Sequence, residues 1–117
     1  MNVIVAGSRG VTDYLQVVEA MANAALFGIV PTCVFSGTAR GVDRLGERWA
    51  SERGVLIHYF PADWDTLGKR AGYVRNAQMA DSADALVALW DGDSRGTKHM
   101  IDLANAKGLE VMVFRAG

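Results

Sequence analysis

Glycine, serine and basic residues recur together in short polar segments of this sequence. The segments cover residues 7–10, 36–41, 68–76 and 90–97, and the basic residues in or beside them are Arg9, Arg40, Lys69, Arg70, Arg75, Arg95 and Lys98. A further loop segment at residues 60–64, FPADW, contains none of these residue types. Glycine lets a ligand or another backbone approach closely, and the free N–H groups at a helix N-terminus attract anions. These residue types therefore predict a phosphate-binding site, provided that the fold gathers the segments at one place.

Short apolar runs precede the polar segments. They cover residues 2–6, 32–36, 55–60 and 85–90, and a fifth run covers residues 109–114. The runs are rich in Val, Ile, Leu and Phe with little polar alternation, which is typical of strands buried on both faces of a parallel sheet. Because ligands bind beyond the carboxyl ends of such strands, the polar segments are expected to meet there.

Helical patterns lie between the predicted strands. The first begins after Thr12 as the N-cap and ends at Gly28, with a predicted buried stripe of Leu15, Val18, Ala22, Ala25 and Leu26. The other three patterns cover residues 41–53, 73–83 and 97–107. The alternation predicts an α/β fold, in which a Rossmann-like, three-layer, doubly wound parallel sheet of about five strands carries helices on both faces.

The strand order decides where a ligand crevice lies. We expect the order 3-2-1-4-5, which places the crevice between the first and fourth strands. The alternative order, 2-1-3-4-5, would place it between the first and third strands. No linker or repeat divides the sequence, so residues 1–117 are expected to form a single domain.

The composition narrows the class of protein. Half of the residues are hydrophobic, and 12 Lys and Arg against 13 Asp and Glu give a net charge of −1. This balance speaks against a broad basic face, so a nucleic-acid partner is not expected. Cys33 is the only cysteine, and no apolar run reaches the ~18 residues of a membrane span. We therefore expect a cytoplasmic protein with no intrachain disulfide and no membrane segment.

Two acidic residues admit two interpretations. Asp43 and Glu47 lie four residues apart, share a helix face, and could form a paired-carboxylate site. Because Arg40, Arg44 and Arg48 surround them in sequence, a solvated salt-bridge face is the favoured interpretation.

Two tryptophans and two histidines are further candidates for a functional site. Trp64 and Trp90 are expected to flank the crevice, where an aromatic plane could stack on a base, and core packing is the alternative. His58 and His99 have no Cys or His partner at ligand spacing, so a metal site is not expected. No cofactor is expected either.

The motifs together resemble a known family. GSRG, SGTARGVDRLGERWA, FPADW, GKRAGYVRNAQMADSADALVALWDG and SRGTKHMIDLA are similar to the YspA-like branch of the SLOG superfamily, which also contains the DprA/SMF proteins and the LOG phosphoribohydrolases. The resemblance covers nearly the whole chain, and small members of this kind are often carried by bacteria and their phages. It implies a Rossmann-like sheet whose strand ends bind a small nucleotide or nucleotide-derived ligand, such as an ADP-ribose-, NAD- or nucleoside-phosphate-like molecule.

The resemblance also implies which residues bind the ligand. The matching positions are Gly7, Ser8, Arg9, Ser36, Gly37, Arg40, Gly41, Asp43, Lys69, Arg75, Asn76, Asp91, Gly92, Ser94, Gly96 and Thr97, to which the residue analysis adds Trp64. The family usually has a second glycine where this sequence has Thr38, and the bulkier threonine is expected to narrow the approach of a ligand to that loop.

Two positions separate this sequence from the LOG enzymes that it resembles. The LOG motif places a catalytic glutamate three residues after its Gly-Thr pair, where this sequence has Met100, and a lysine where it has Asn76. Methionine cannot act as an acid or a base, and Asp102 lies about 200° away from position 100 around a helix. The comparison therefore favours ligand binding over hydrolysis by the LOG mechanism.

Several functions remain open on the sequence. The favoured interpretation is a nucleotide-ligand sensor or carrier. The alternative is a nucleotide or N-glycosidic hydrolase that uses Asp43, Asp91 or Asp93, and a DprA-like single-stranded DNA binder is the least favoured. Exposed helices on a domain of this size also lead us to expect a homo-oligomer.

Overall fold

A computed structural model describes all residues from 1 to 117. The strands are β1 (Asn2–Gly7), β2 (Cys33–Ser36), β3 (Leu56–Tyr59), β4 (Ala85–Trp90) and β5 (Glu110–Arg115). The helices are α1 (Tyr14–Leu26), α2 (Val42–Glu52), α3 (Trp64–Leu67), α4 (Ala71–Ser82) and α5 (Arg95–Ala106), and a 3₁₀ turn (Gly68–Arg70) joins α3 to α4. No helix has the length and apolar character needed to cross a bilayer.

The five strands form one parallel sheet in the order β3-β2-β1-β4-β5. This confirms the predicted order and fold class, and the alternative order 2-1-3-4-5 is wrong. The winding of the chain reverses between β1 and β4, where Gly7 pairs with Leu89. A ligand crevice is therefore expected at the carboxyl end of β1.

Each face of the sheet is covered by two helices, as alternate residues of β1 show. Val3 and Val5 belong to the cluster that contains the buried side chains of α1 and α2. Ile4 and Ala6 belong to the opposite cluster, with Met79 of α4 and Met100 of α5. Because the central strand is buried on both sides, its sequence shows no polar alternation.

The predicted buried stripe of α1 is wrong. The helix buries Val17, Ala20, Met21 and Ala24, whereas Leu15 and Leu26 are exposed. Both sets of residues recur at helical spacing, and the face that carries Val17 and Met21 is the one that packs against the sheet. The N-cap is Asp13 rather than Thr12, since the Asp13 side chain accepts a hydrogen bond from the Leu15 N–H at 3.0 Å.

The segment between β3 and β4 differs from its predicted form. A single helix over residues 73–83 was expected, whereas the chain forms α3, a 3₁₀ turn and then α4. Asp63 caps α3 by accepting a hydrogen bond from the Thr66 N–H at 3.2 Å. The fourth predicted helix begins earlier than expected, at Arg95, because Ser94 caps it.

The end of β1 lies in close contact with two other elements. A Cβ atom on Gly7 would lie 2.1 Å from the carbonyl oxygen of Leu89 and 2.6 Å from Cγ2 of Val42. Neither contact can be relieved by rotating a flexible side chain. Gly7 therefore sets the spacing of β1, β4 and α2 immediately below the crevice.

Replacing Gly7 by alanine is expected to lower the free energy of unfolding by about 2 kcal/mol or more, because the methyl group forces backbone apart. Chemical denaturation of Gly7→Ala measures the loss. Gly10→Ala is the matched control, since a Cβ on Gly10 would meet nothing within 4 Å. Equal stability of the two variants would contradict this description of the contact.

Candidate functional site

A pocket of about 200 Å³ opens beyond the carboxyl end of β1, at the reversal of strand order. Its walls come from the end of β1 and the loop after it, the loop after β2, the first turn of α2, the α3–α4 segment and the start of α5. The lining residues are Ala6, Gly7, Arg9, Ala39, Asp43, Trp64, Lys69, Gly72, Tyr73, Arg75, Asn76, Met79, Ser94, Gly96, Thr97 and Met100. Segments that are far apart in sequence thus meet, and Arg9, Arg75 and Gly96 face one hollow.

Three cations line this pocket. Arg9 and Lys69 are exposed, and neither takes part in any of the ion pairs of the chain, which join other residues. Arg75 is half-buried, and its guanidinium donates to the Gly37 carbonyl and, through Nε, to Oδ1 of Asn76 at 2.9 Å. Burial lowers the pKa of Arg75 from its ordinary value, yet a guanidinium stays charged in proteins. The pocket wall therefore carries positive charge that no neighbouring carboxylate pairs with directly.

The N-terminus of α5 adds backbone donors to the pocket. Ser94 caps the helix through its hydroxyl, which accepts from the Thr97 N–H at 3.5 Å. A Cβ on Gly96 would meet nothing within 4 Å, so the first turn is open to a ligand. The first N–H groups of a helix have no intrahelical acceptor and carry partial positive charge. Phosphate is an anion that such a turn accommodates.

Asn76 fixes the helix that carries Arg75 against α5. Its Nδ2 lies 3.4 Å from the Gly96 carbonyl oxygen and 3.1 Å from Nδ1 of His99. The His99 ring packs against the Tyr73 ring at a tilt of 49°, with ring centroids 4.4 Å apart, and burial lowers the pKa of His99. Asn76 thus positions the two walls of the pocket relative to each other.

Two aromatic side chains stand at the mouth of the pocket. Trp64 is 50% exposed and Tyr73 is 46% exposed, although both line the hollow. A Cβ on Gly72 would lie 3.4 Å from Cη2 of Trp64, so the indole lies over the start of α4. Half-exposed aromatic faces beside a cationic pocket provide stacking surface for a planar ring.

Asp43 corrects a prediction. Its spacing favoured a solvated salt-bridge face, whereas the family resemblance implied ligand binding; the residue is only 6% exposed and lines the pocket, which contradicts the solvated face. Its Oδ2 accepts from the Ala39 N–H at 3.1 Å. Burial raises the pKa of Asp43 to about 6, even though the Ala39 N–H and the charge of Arg75 act in the opposite direction. The first turn of α2 points inward here, which the four-residue spacing could not reveal.

Glu47 does lie in the predicted ion pair, but not on a freely solvated face. Its Oε1 lies 3.3 Å from Nη1 of Arg44, and its side chain is 13% exposed. Its Oε2 accepts from the Ser36 hydroxyl at 2.5 Å. The two carboxylates therefore differ, because Glu47 is held by Ser36 and Arg44 while Asp43 faces the pocket.

Several predicted ligand residues shape the site without lining the pocket. Ser8 is buried, and its hydroxyl accepts from the Asp91 N–H at 3.0 Å. Ser36 is buried and holds the Thr38 N–H at 3.1 Å. Gly41 has a φ of +77°, and a Cβ there would lie 2.4 Å from the Ser8 carbonyl oxygen. These residues join the loops after β1, β2 and β4.

The remaining acidic candidates lie outside the pocket. Oδ1 of Asp91 accepts from the N–H groups of Asp93 and Ser94 at 2.8 Å each, and these bonds lower the pKa of Asp91. Gly92, with a φ of +87°, lies against the Arg115 guanidinium, and Asp93 is exposed. Among Asp43, Asp91 and Asp93, Asp43 alone lines the pocket.

Trp90 was expected to flank the crevice, but it does not line the pocket. Its indole N–H donates instead to the Ser94 carbonyl oxygen at 3.0 Å. The side chain therefore supports the turn that leads into α5.

A groove of about 330 Å³ adjoins the pocket. The two hollows share Arg9, Ala39, Trp64 and Arg75, and the groove adds Gly37, Thr38, Arg40, Pro61 and Ala62. Thr38 has a φ of +64°, the left-handed conformation that favours glycine. A glycine, which the resembled family usually has at this position, adopts this backbone conformation without strain. Thr38 lines the groove and does not line the pocket.

Several residues that line the pocket were not predicted from the sequence. Ala6 and Met79 form apolar surface in it, and their sequence context indicated only core packing. Met100 was considered only as a missing glutamate, yet it lines the pocket with 1% exposure. Met100 lies one helical turn after Thr97, and this spacing already indicated that the two side chains share a face of the helix.

The fold and the pocket define a doubly wound α/β domain with a cationic ligand site at the reversal of its sheet. Residues 1–66 match the model of the YspA, cpYpsA-related SLOG family, and the chain belongs to this family. The chain is 36% identical to the Gene 61 protein of Mycobacterium phage D29, over 97% of this chain and 95% of that protein. No solved structure matches the chain. Family membership confirms the resemblance found in the sequence and, at most, suggests a nucleotide-related ligand.

Replacing the buried Asp43 by asparagine is expected to stabilise the protein in alkaline solution. Because folding raises the pKa of Asp43 from 3.8 to about 6, the stability linked to its neutral form is present below the unfolded value and is lost as the pH rises through about 6. Asp43→Asn should therefore raise the free energy of unfolding by up to about 3 kcal/mol at about pH 8 and change it little near pH 4.

Urea denaturation across this pH range measures the difference. The control is Asp93→Asn, which removes an exposed carboxylate outside the pocket. Destabilisation of Asp43→Asn at alkaline pH would show that the ionised carboxylate is well solvated or well paired in the folded protein.

Proposed function

We propose that the pocket binds a nucleotide or nucleotide-derived ligand of the ADP-ribose, NAD or nucleoside-phosphate class, and that the protein acts as a sensor or carrier of this ligand. The observation that carries the proposal is the convergence of unpaired Arg9 and Lys69, half-buried Arg75 and the open first turn of α5 on one hollow. Cations and helix N–H groups together select for phosphate.

The phosphate binds at the start of α5 and between the cations. Gly96 offers close backbone approach, and Lys69 and Arg9 are free to form charge-assisted hydrogen bonds. Arg75 holds the Gly37 carbonyl and keeps further guanidinium N–H donors available. Arg75 therefore both positions the loop after β2 and faces the anion, whereas Lys69 and Arg9 are available to the anion alone.

The other walls of the pocket indicate where the base and the remaining part of the ligand bind. The ring faces of Trp64 and Tyr73 stack on the base at the mouth, and Ala6, Met79 and Met100 supply apolar surface. The adjoining groove, with Arg40 on its wall, has room for a second half of a ligand such as ADP-ribose. Ligand pockets combine apolar surface with placed polar groups, and this pocket offers both.

Titration calorimetry with AMP, ADP-ribose and NAD tests the proposal, together with thermal shifts at millimolar ligand. Saturable binding of at least one of these molecules, with an increase in Tm, is the expected result. Absence of both heat and thermal shift for a broad nucleotide panel would overturn the proposal.

Neighbouring cations of the 3₁₀ turn provide a matched test of phosphate contact. Lys69 lines the pocket, whereas Arg70 is exposed and does not line it. Lys69→Gln is expected to weaken binding of the best nucleotide about tenfold, the effect of losing one charge-assisted hydrogen bond. Arg70→Gln removes the same charge and should change the Kd less than about twofold, since exposed charges contribute little.

Gly96→Ala separates binding from stability. The added methyl group enters the open first turn of α5, where a phosphate is proposed to bind. Alanine favours helix over glycine by up to about 1 kcal/mol, so the free energy of unfolding should be unchanged or higher. Nucleotide affinity should fall at least about tenfold by calorimetry, and undiminished affinity would place the phosphate elsewhere.

We propose hydrolysis of a nucleotide or ribosyl bond as a second candidate function, because Asp43 lines the pocket and has a pKa of about 6. A carboxyl with a pKa near the working pH is suited to general acid–base catalysis. Incubation with nucleoside monophosphates and NAD, followed by chromatography for free base or ribose phosphate, tests this function. Unchanged substrate in the presence of demonstrated binding would exclude it for those substrates.

A further inference from the structure

One oxygen of the buried Asp43 carboxylate has no partner in the protein. Oδ2 accepts from the Ala39 N–H, whereas Oδ1 makes no hydrogen bond. The one buried side-chain oxygen in the chain that lacks both a partner and solvent access is Oε1 of Gln16. Oδ1 of Asp43 therefore retains access to the pocket that Asp43 lines, although the residue is only 6% exposed.

The charge of this oxygen defines what it can bind. An ionised carboxylate accepts hydrogen bonds and donates none, and it repels phosphate. Arg75 and Asp43 flank the same glycine, since a Cβ on Gly37 would lie 2.5 Å from Nη1 of Arg75 and 2.8 Å from Oδ2 of Asp43. The pocket thus places a site for an anion directly beside a site for a neutral donor, such as a hydroxyl or an amine.

The depth of Asp43 distinguishes between these two donors. The aromatic surfaces available for a base are the half-exposed Trp64 and Tyr73 at the mouth, whereas Asp43 is almost completely buried. A base stacked at the mouth holds its exocyclic amine away from this buried carboxylate. The ribose lies between base and phosphate in every nucleotide, so its hydroxyls are the donors that reach beside the phosphate site.

We propose that Asp43 accepts a hydrogen bond from a ribose hydroxyl of the ligand and thereby makes the pocket selective for ribonucleotides over their deoxy counterparts. This inference rests on the proposed nucleotide binding and deepens it by naming the sugar that the site requires. A hydrogen bond to a charged group within a pocket corresponds to a roughly 10–100-fold preference.

The wild-type protein provides the first test, which needs no variant. Calorimetry compares each ribonucleoside 5′-monophosphate with its 2′-deoxy and 3′-deoxy analogues at neutral pH. At least one deoxy analogue is expected to bind roughly 10–100-fold more weakly than the ribonucleotide. Equal affinities would overturn the inference and leave the proposed function standing, whereas absence of binding by any nucleotide would overturn both.

The isosteric variant Asp43→Asn assigns the preference to this residue. Its amide oxygen can accept from the Ala39 N–H, which turns the amide NH₂, a donor, toward the ligand. The ratio of ribonucleotide to deoxynucleotide affinity should fall to about threefold or less, because most of the charge-assisted hydrogen bond is lost. Asp93→Asn, outside the pocket, should keep the wild-type preference. A full preference retained by Asp43→Asn would overturn the inference.

Acidification tests the same contact in the unaltered protein. The charged groups that face Asp43 are Arg75, Arg9 and Glu47; both arginines stay charged, and Glu47 is held by Ser36 and Arg44. The ratio of ribonucleotide to deoxynucleotide affinity should fall as Asp43 is protonated below about pH 6. Protonation of the phosphate does not change this ratio, because both ligands carry the same phosphate. A ratio independent of pH would contradict a charged acceptor.

The last comparison separates the ribose from the base. Adenosine and inosine 5′-monophosphates share the ribose and the phosphate and differ in the exocyclic amine. Asp43→Asn should weaken both to the same extent. A loss confined to the adenine nucleotide would assign the Asp43 contact to the base amine and overturn the ribose assignment.

Discussion

The close approach of three loops at the carboxyl end of the sheet is the constraint on which the rest of this structure depends. At Gly7, Gly37 and Gly41 the space for a Cβ atom is already occupied by backbone or by a functional side chain. The reversal of strand order beside β1 sends α2 to one face of the sheet and α4 and α5 to the other. A gap remains between these layers, and the glycines keep it narrow enough for side chains from distant segments to share it.

The pocket is electrostatically unfavourable for the protein alone. Arg9 and Lys69 have no partner, and Asp43 is buried with a raised pKa although Arg75 is close to it. Thr38 adds backbone strain through its positive φ. The buried carboxylate and the strained backbone cost stability, and features of this kind concentrate where proteins bind ligands. A ligand that carries phosphate beside hydroxyl would satisfy both the unpaired cations and the free carboxylate oxygen.

The sequence predicted the sheet well because buried parallel strands leave a strong pattern. It also identified Arg9, Lys69, Arg75 and Gly96, since each follows a predicted strand at the edge where strand ends meet. It failed where two helix faces were equally plausible. In α1 the face with Val17 and Met21 is buried rather than the face with Leu15 and Leu26.

The same ambiguity explains the misjudged acidic residues. Spacing on α2 placed Asp43 and Glu47 on one face, but only the packing of α2 against the loop after β2 shows that Asp43 is buried. Ser8 and Asp91 follow strands as binding residues would, yet the Ser8 hydroxyl accepts from the Asp91 N–H and the Asp91 carboxylate accepts from N–H groups of its own loop. Sequence position identifies the edge of the sheet and does not reveal which polar atoms the fold itself uses.

A crystal structure of the protein with its tightest-binding nucleotide tests the central claim most directly. The phosphate should lie within hydrogen-bonding distance of the Gly96 N–H and of Lys69 or Arg9, with the ribose directed toward Asp43. A nucleotide bound on another surface at saturation, with this pocket filled by water, would contradict it.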